Sequence, residues 1–171
     1  EKPPPPISAP PSGNNAQALY QQGRSEYLKF SFTGAGRAVQ LFRQAISLDR
    51  SHALAYAGQA EALGWRVILL RTHALPAESG EAMAALQLAE QAAKLSRDSV
   101  AVQRALALAY SINDNDKDSE KALKRAQQIT VADAETNLIS AATNLDDPEQ
   151  LLTHCQTALG LNPSLVGALY L

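Results

Sequence analysis

Three stretches of this chain repeat one order of residues. The first runs Ala38, Phe42, Ala45, Leu48-Asp49-Arg50, then Ala53-Leu54-Ala55-Tyr56. The second runs Ala85, Ala89, Ala92, Leu95-Ser96-Arg97, then Val100-Ala101-Val102. The third runs Leu151, Cys155, Ala158, Leu161-Asn162-Pro163, then Val166-Gly167-Ala168-Leu169. Each has small and large apolar residues at helical spacing, a short stop and a new helix. A unit of this kind cannot bury its apolar face alone, so recurrence implies a stack of helical hairpins.

Composition suits such a stack. The chain has 171 residues, is 46% hydrophobic and only 5% aromatic, and alanine dominates the apolar set. Small side chains fill a core only where helices approach closely. Fifteen basic and seventeen acidic residues give a net charge of −2, which supplies neither the basic footprint of nucleic-acid binding nor a basic stripe for a membrane surface. Cys155 is the single cysteine, so no intrachain disulfide forms. Residues 1–15 carry no apolar signal-peptide core, and Val67-Ile68-Leu69-Leu70 is too short to span a bilayer. Cytoplasm and periplasm both remain open. The first residue is Glu1 rather than Met, so we expect a fragment of a longer protein whose upstream part could carry an anchor.

Residues 1–15 are Pro-rich and read as a semi-rigid linker, leaving 16–171 as one helical domain. Asn14 or Asn15 is expected to cap the first helix, and Thr33-Gly34-Ala35-Gly36 to break it. A second helix should end near Leu48, and a third should start after a Ser51 cap and extend toward Arg71. Pro76 and Ser79-Gly80 mark the next boundary. Further helices are expected over 81–95, from an Asp98 or Ser99 cap to Tyr110, over 119–130, 134–144 and 149–159, and from Ser164 onward. No stretch alternates with period two for long enough to be a strand.

These residues resemble tetratricopeptide repeats, helix pairs of about 34 residues in which small side chains sit where the two helices cross and large ones fill the adjacent gap. Gly23 and Tyr27 stand at the first helix of unit one, with Ala38, Phe42 and Ala45 at its second. Tyr56, Ala60 and Leu63 pair with Ala85, Ala89 and Ala92 in unit two. Leu106-Ala107 and Tyr110 pair with Ser119, Leu123 and Ala126 in unit three. Unit four matches poorly at Asn137, Ser140-Ala141 and Asn144 but well at Leu151, Cys155, Ala158 and Pro163. The resemblance implies an all-α, right-handed solenoid of about four hairpins plus a terminal helix, either a truncated fifth unit or a cap. The long second unit is similar to repeats attached to bacterial adenylate cyclases and membrane-anchored winged-helix regulators.

What the resemblance implies about function is a scaffold that takes a peptide or protein partner in a concave groove, within a larger bacterial regulatory or assembly protein. The alternative is a sensory domain that binds a small ligand between hairpins and signals to an attached effector. Carried over by position, the groove residues are Tyr20, Arg24, Tyr27, Glu61, Trp65, Arg104 and Leu108. Tyr, Trp and Arg join large contact area to a polar handle, as binding hot spots do. Exposed end helices would offer a route to self-association. The apolar run 65–70 is expected to be buried against the preceding hairpin rather than to form an exposed extension.

The chemistry-bearing residues point away from an enzyme and imply no cofactor or metal. Asp114, Asp116 and Asp118 mimic the start of a calcium loop, but Ser119 and Arg125 occupy the places that need Gly and a bidentate Glu. Helix capping explains the cluster. His154 and Cys155 are adjacent, so on a helix they point about 100° apart, and Cys155 falls at a core position. No Gly-rich phosphate loop, zinc spacing or paired-carboxylate motif occurs.

Overall fold

A computed structural model describes residues 12–73, 80–169 and 171. Its elements are α1 (Ser12–Tyr27), α2 (Phe32–Leu48), α3 (Ala53–Thr72), α4 (Glu81–Leu95), α5 (Val100–Ser111), α6 (Asp116–Ile129), α7 (Ala134–Ala142), α8 (Pro148–Leu161) and a terminal 3-10 turn, Val166–Leu169. Consecutive helices pair as four hairpins. Helices α1, α3, α5 and α7 also pack side by side as an inner row, and α2 and α4 pack on the inner helix that follows. The fold is an all-α solenoid, as the repeated spacing implies.

Size matching holds the hairpins together. Ala38, Ala45, Ala85, Ala89, Ala92, Ala126 and Ala158 are fully buried at the crossings. The ring of Phe42 lies between Gly23 and Gly58, and a Cβ on either glycine would stand 2.7 Å from it. Burial of that one side chain contributes about 1.5–3 kcal/mol. Gly64 makes the same room for Leu108, with 2.7 Å from a would-be Cβ to the leucine Cδ2. Along the run 65–70, Trp65, Val67, Ile68 and Leu70 are buried. Arg66 pairs with Glu81 at 2.8 Å, and Arg71 donates to the Ile112 carbonyl at 2.8 Å.

Several helix ends differ from the expected ones. Helix α1 starts at Ser12, one residue after the last proline of the Pro-rich stretch, so Asn14 and Asn15 lie inside it and residues 12–15 are helical rather than linker. Residues 1–11 lie outside the described residues, as do Pro76 and Ser79. The break after α1 falls at residues 28–31, and Thr33 to Gly36 belong to α2. Ser31 supplies the cap, its Oγ accepting from Gly34 N at 3.0 Å. Gly34 is there because a Cβ would sit 2.7 Å from the Glu26 carbonyl oxygen. A close approach, not a chain break, is what that glycine serves. Helix α3 is capped by His52 rather than Ser51, with Nδ1 accepting from Ala55 N at 3.3 Å. The terminal segment forms a single 3-10 turn instead of a further α-helix.

Candidate functional site

The inner row brings together charged residues that lie far apart in sequence. Glu61 stands among alanines on α3 and is 1% exposed. A carboxylate so placed must be paired. Arg104 of α5 donates Nε to Glu61 Oε1 at 3.2 Å, and Arg24 of α1 reaches Glu61 Oε2 with Nη1 at 3.5 Å. On α7, Glu135 closes the circuit. Its Oε2 lies 3.0 Å from Arg104 Nη2, and its two oxygens accept from Arg24 Nη2 at 2.6 and 2.7 Å. The result is an alternating ring, Arg24–Glu61–Arg104–Glu135, with one member from each hairpin. Asp133, the cap of α7, adds a fifth group through a 2.8 Å bond from Arg104 Nη1.

The ring has a covered floor and a partly open rim. The side chains of Glu61 and Arg104 are 2% and 6% exposed, against 15%, 21% and 22% for Arg24, Asp133 and Glu135. Burial pushes the Glu61 carboxyl up, against the pull of Arg104 and Arg24. Burial alone would lower the two guanidiniums, but Glu61 and Glu135 outweigh it and hold both raised. Burial raises Asp133, but Arg104 and the Thr136 hydrogen bonds outweigh it and leave the carboxyl below the usual range. Two cations face three carboxylates, so the patch carries about one negative charge.

Of the seven residues expected to line the groove, Arg24, Glu61 and Arg104 meet in the ring. Tyr27 and Trp65 meet beside it, the indole Nε1 donating to the Tyr27 hydroxyl at 2.8 Å, and both are buried. Arg24 stacks over the Tyr27 ring at 4.9 Å. Tyr20 is half-buried next to Arg24, its ring tilted against Phe42 at 5.8 Å and His52 at 5.2 Å. Leu108 is fully buried on Gly64, apart from the ring. Asp133 and Glu135 escaped the sequence reading because the fourth unit matches its repeat poorly, and the register it was given at Asn137, Ser140-Ala141 and Asn144 did not reach the start of α7. Their signal was indirect: Arg24, Glu61 and Arg104 recur on inner helices, and buried charges demand partners.

The remaining motifs are structural. Asn115 caps α6, accepting from Asp118 N at 3.3 Å, and Asp116 and Asp118 occupy the first turn. Among the described residues, no group of three His, Cys, Asp or Glu side chains is placed to hold a metal ion. Burial pushes the Cys155 thiol up, opposite to the shift that activates a nucleophile. No helix of the described residues is long and apolar enough to cross a membrane.

No protein-family model and no curated protein matches this sequence. Solved structures do. One, the MamA RS-1 ArsTM double mutant, aligns with a TM-score of 0.50 at 19% identity, covering 88% of this chain and 77% of that one. At that identity the likeness speaks to fold, and the fold is an all-α solenoid of helical hairpins.

Proposed function

We propose that this chain is an interaction scaffold, not an enzyme, that receives a peptide segment of a partner protein along the rim of its inner face. The observation that carries this reading is the charged ring assembled from all four hairpins, with Arg24, Asp133 and Glu135 partly open and Tyr20 beside them. A patch of net negative charge with an aromatic edge suits a segment that brings a cation to Asp133 and Glu135 and an apolar residue to Tyr20. The covered residues Tyr27, Glu61, Trp65 and Arg104 then act by fixing the rim groups in place, while Leu108 serves the core. In this reading the chain is one part of a larger regulatory or assembly protein.

The scaffold reading is preferred to ligand sensing beside Trp65. The enclosed space there is only about 20 Å³, roughly room for one water. The test is selection from a displayed peptide library on the folded chain. Peptides enriched on the wild type should bind Tyr20→Ala about tenfold or more weakly, the cost of losing a hot-spot side chain. The proposal fails if the selected peptides bind Tyr20→Ala and Glu135→Gln as tightly as the wild type while both variants keep wild-type helicity.

A further inference from the structure

We infer that the groove between α4 and α6, among the outer helices of the array, is a second docking site, and that its occupant is an acidic peptide segment of a partner protein. This surface is separate from the inner rim and opposite to it in charge. The inference goes beyond the proposed function and does not depend on it.

The groove follows from how the hairpins stack. Helices α4 and α6 each pack on α5 but not closely on each other. The gap between them is an open trough of about 1220 Å³, lined by Leu106 and Tyr110 of α5. That exceeds the roughly 300–1,000 Å³ of clefts that take small molecules. Lys94 and Arg97 line one bank, and Lys117, Lys121, Lys124 and Arg125 line the other. All six are exposed. Only three carboxylates, those of Glu90, Asp118 and Glu120, share the lining, so the trough carries a net charge of +3 in a chain whose net charge is −2.

Local structure does not account for this gathering. Lys124 pairs with Glu120 at 2.6 Å and Arg125 with Asp98 at 2.7 Å, both on the surface, where such pairs are worth little and exchange readily for a ligand's carboxylate. The other four cations have no carboxylate partner among the described residues. Lys94 and Arg97 suit the C-terminal end of α4, whose dipole favours cations. Lys117 stands in the first turn of α6, where the dipole disfavours a cation and Asp116 and Asp118 hold the favourable places. Cations on facing banks repel one another, and an acidic ligand relieves that repulsion. Tyr110, half-buried between the banks, adds a hydrogen-bond donor. Burial, then Glu90 and Asp118, raise its hydroxyl against the pull of Arg97, so it stays protonated and can donate to a carboxylate. The three carboxylates set among the cations favour a peptide over a nucleic acid, whose continuous row of phosphates would run into them.

The test uses the whole folded chain and a fluorescein-labelled peptide, Asp-Glu-Glu-Leu-Glu-Asp-Phe-Glu, read by fluorescence anisotropy in about 0.1 M salt, where charges more than about 10 Å apart are largely screened. The inner rim is negative and repels this probe. The wild type should bind it at least about tenfold more tightly than the counterpart whose acids are replaced by their amides. Lys94→Glu with Lys121→Glu reverses one charge on each bank and should weaken binding at least about tenfold. Arg43→Glu with Arg50→Glu alters exposed cations outside the groove lining by the same total charge, and should leave the affinity within about twofold. Circular dichroism checks both variants. If the Lys94→Glu, Lys121→Glu chain loses helicity, Lys94→Gln with Lys121→Gln replaces it, with about a threefold loss expected. No binding by the wild type overturns the inference. So does a groove variant that binds no more weakly than the Arg43, Arg50 variant, or an oligothymidylate of equal charge bound as tightly as the peptide.

Discussion

Replacing Arg104 by Met should expose how far the buried ring depends on complete pairing. The substitution keeps most of the apolar volume and removes the cation that donates to Glu61, Asp133 and Glu135. Glu135 retains Arg24, and Asp133 retains its bonds to Thr136. Glu61, 1% exposed, is left with Arg24 at 3.5 Å. Breaking a buried pair from one side costs about 3–5 kcal/mol. Protonation limits the charge part of that cost. Taking Glu61 from an unfolded value near 4.3 to neutral at pH 7 spans about 2.7 units at 1.36 kcal/mol each, or ~3.7 kcal/mol.

The sign follows from linkage. In the variant Glu61 is neutral when folded and ionised when unfolded, so its folded pKa is raised. Burial already raises the Glu61 carboxyl in the wild type, and loss of the Arg104 pull raises it further, so stability relative to the wild type is kept at low pH and lost as pH rises through the wild type's folded value. Urea unfolding followed by circular dichroism should show a loss of at most ~3–4 kcal/mol at pH 7 and a clearly smaller one at pH 5. The double change Glu61→Met with Arg104→Met should recover most of the loss, because the uncompensated charge is gone. A loss below about 1 kcal/mol at pH 7, or an equal loss at both pH values, would refute the reasoning.

Two further outcomes follow from the same packing and charges. Gly23→Ala puts a Cβ 2.7 Å from the Phe42 ring. It should destabilise by about 1–3 kcal/mol even though alanine is the better helix former, and Phe42→Leu should recover part of the loss in the double variant, read by thermal melting. Asp133→Asn keeps the α7 cap and removes the charge facing Arg104. Since the Asp133 carboxyl is held low, its contribution is present above the ordinary carboxylate range and disappears as pH falls through the folded value. The variant should be less stable by about 1 kcal/mol at pH 7, with the gap narrowing as pH falls below the ordinary carboxylate range, measured by urea unfolding across that range.

What the sequence determined by itself is the hairpin. Ala38, Phe42 and Ala45, and again Ala85, Ala89 and Ala92, state which face of each outer helix is buried, because a face is fixed by spacing within one helix. The end of α2 at Leu48 and the span Glu81–Leu95 of α4 follow from the same local signal. Helix starts were less readable. Gly34 looks like a breaker, yet it is a contact residue within α2, and the choice of His52 over Ser51 as a cap rests on geometry two residues wide. Only the tertiary structure decided the site. Arg24 meets Glu135 across 111 positions, and Gly167 meets Phe30, because small rotations between successive hairpins add up until the ends of the array come within reach. No periodicity encodes that sum: each rotation depends on how a specific pair of faces packs, and an error at one interface displaces every contact beyond it.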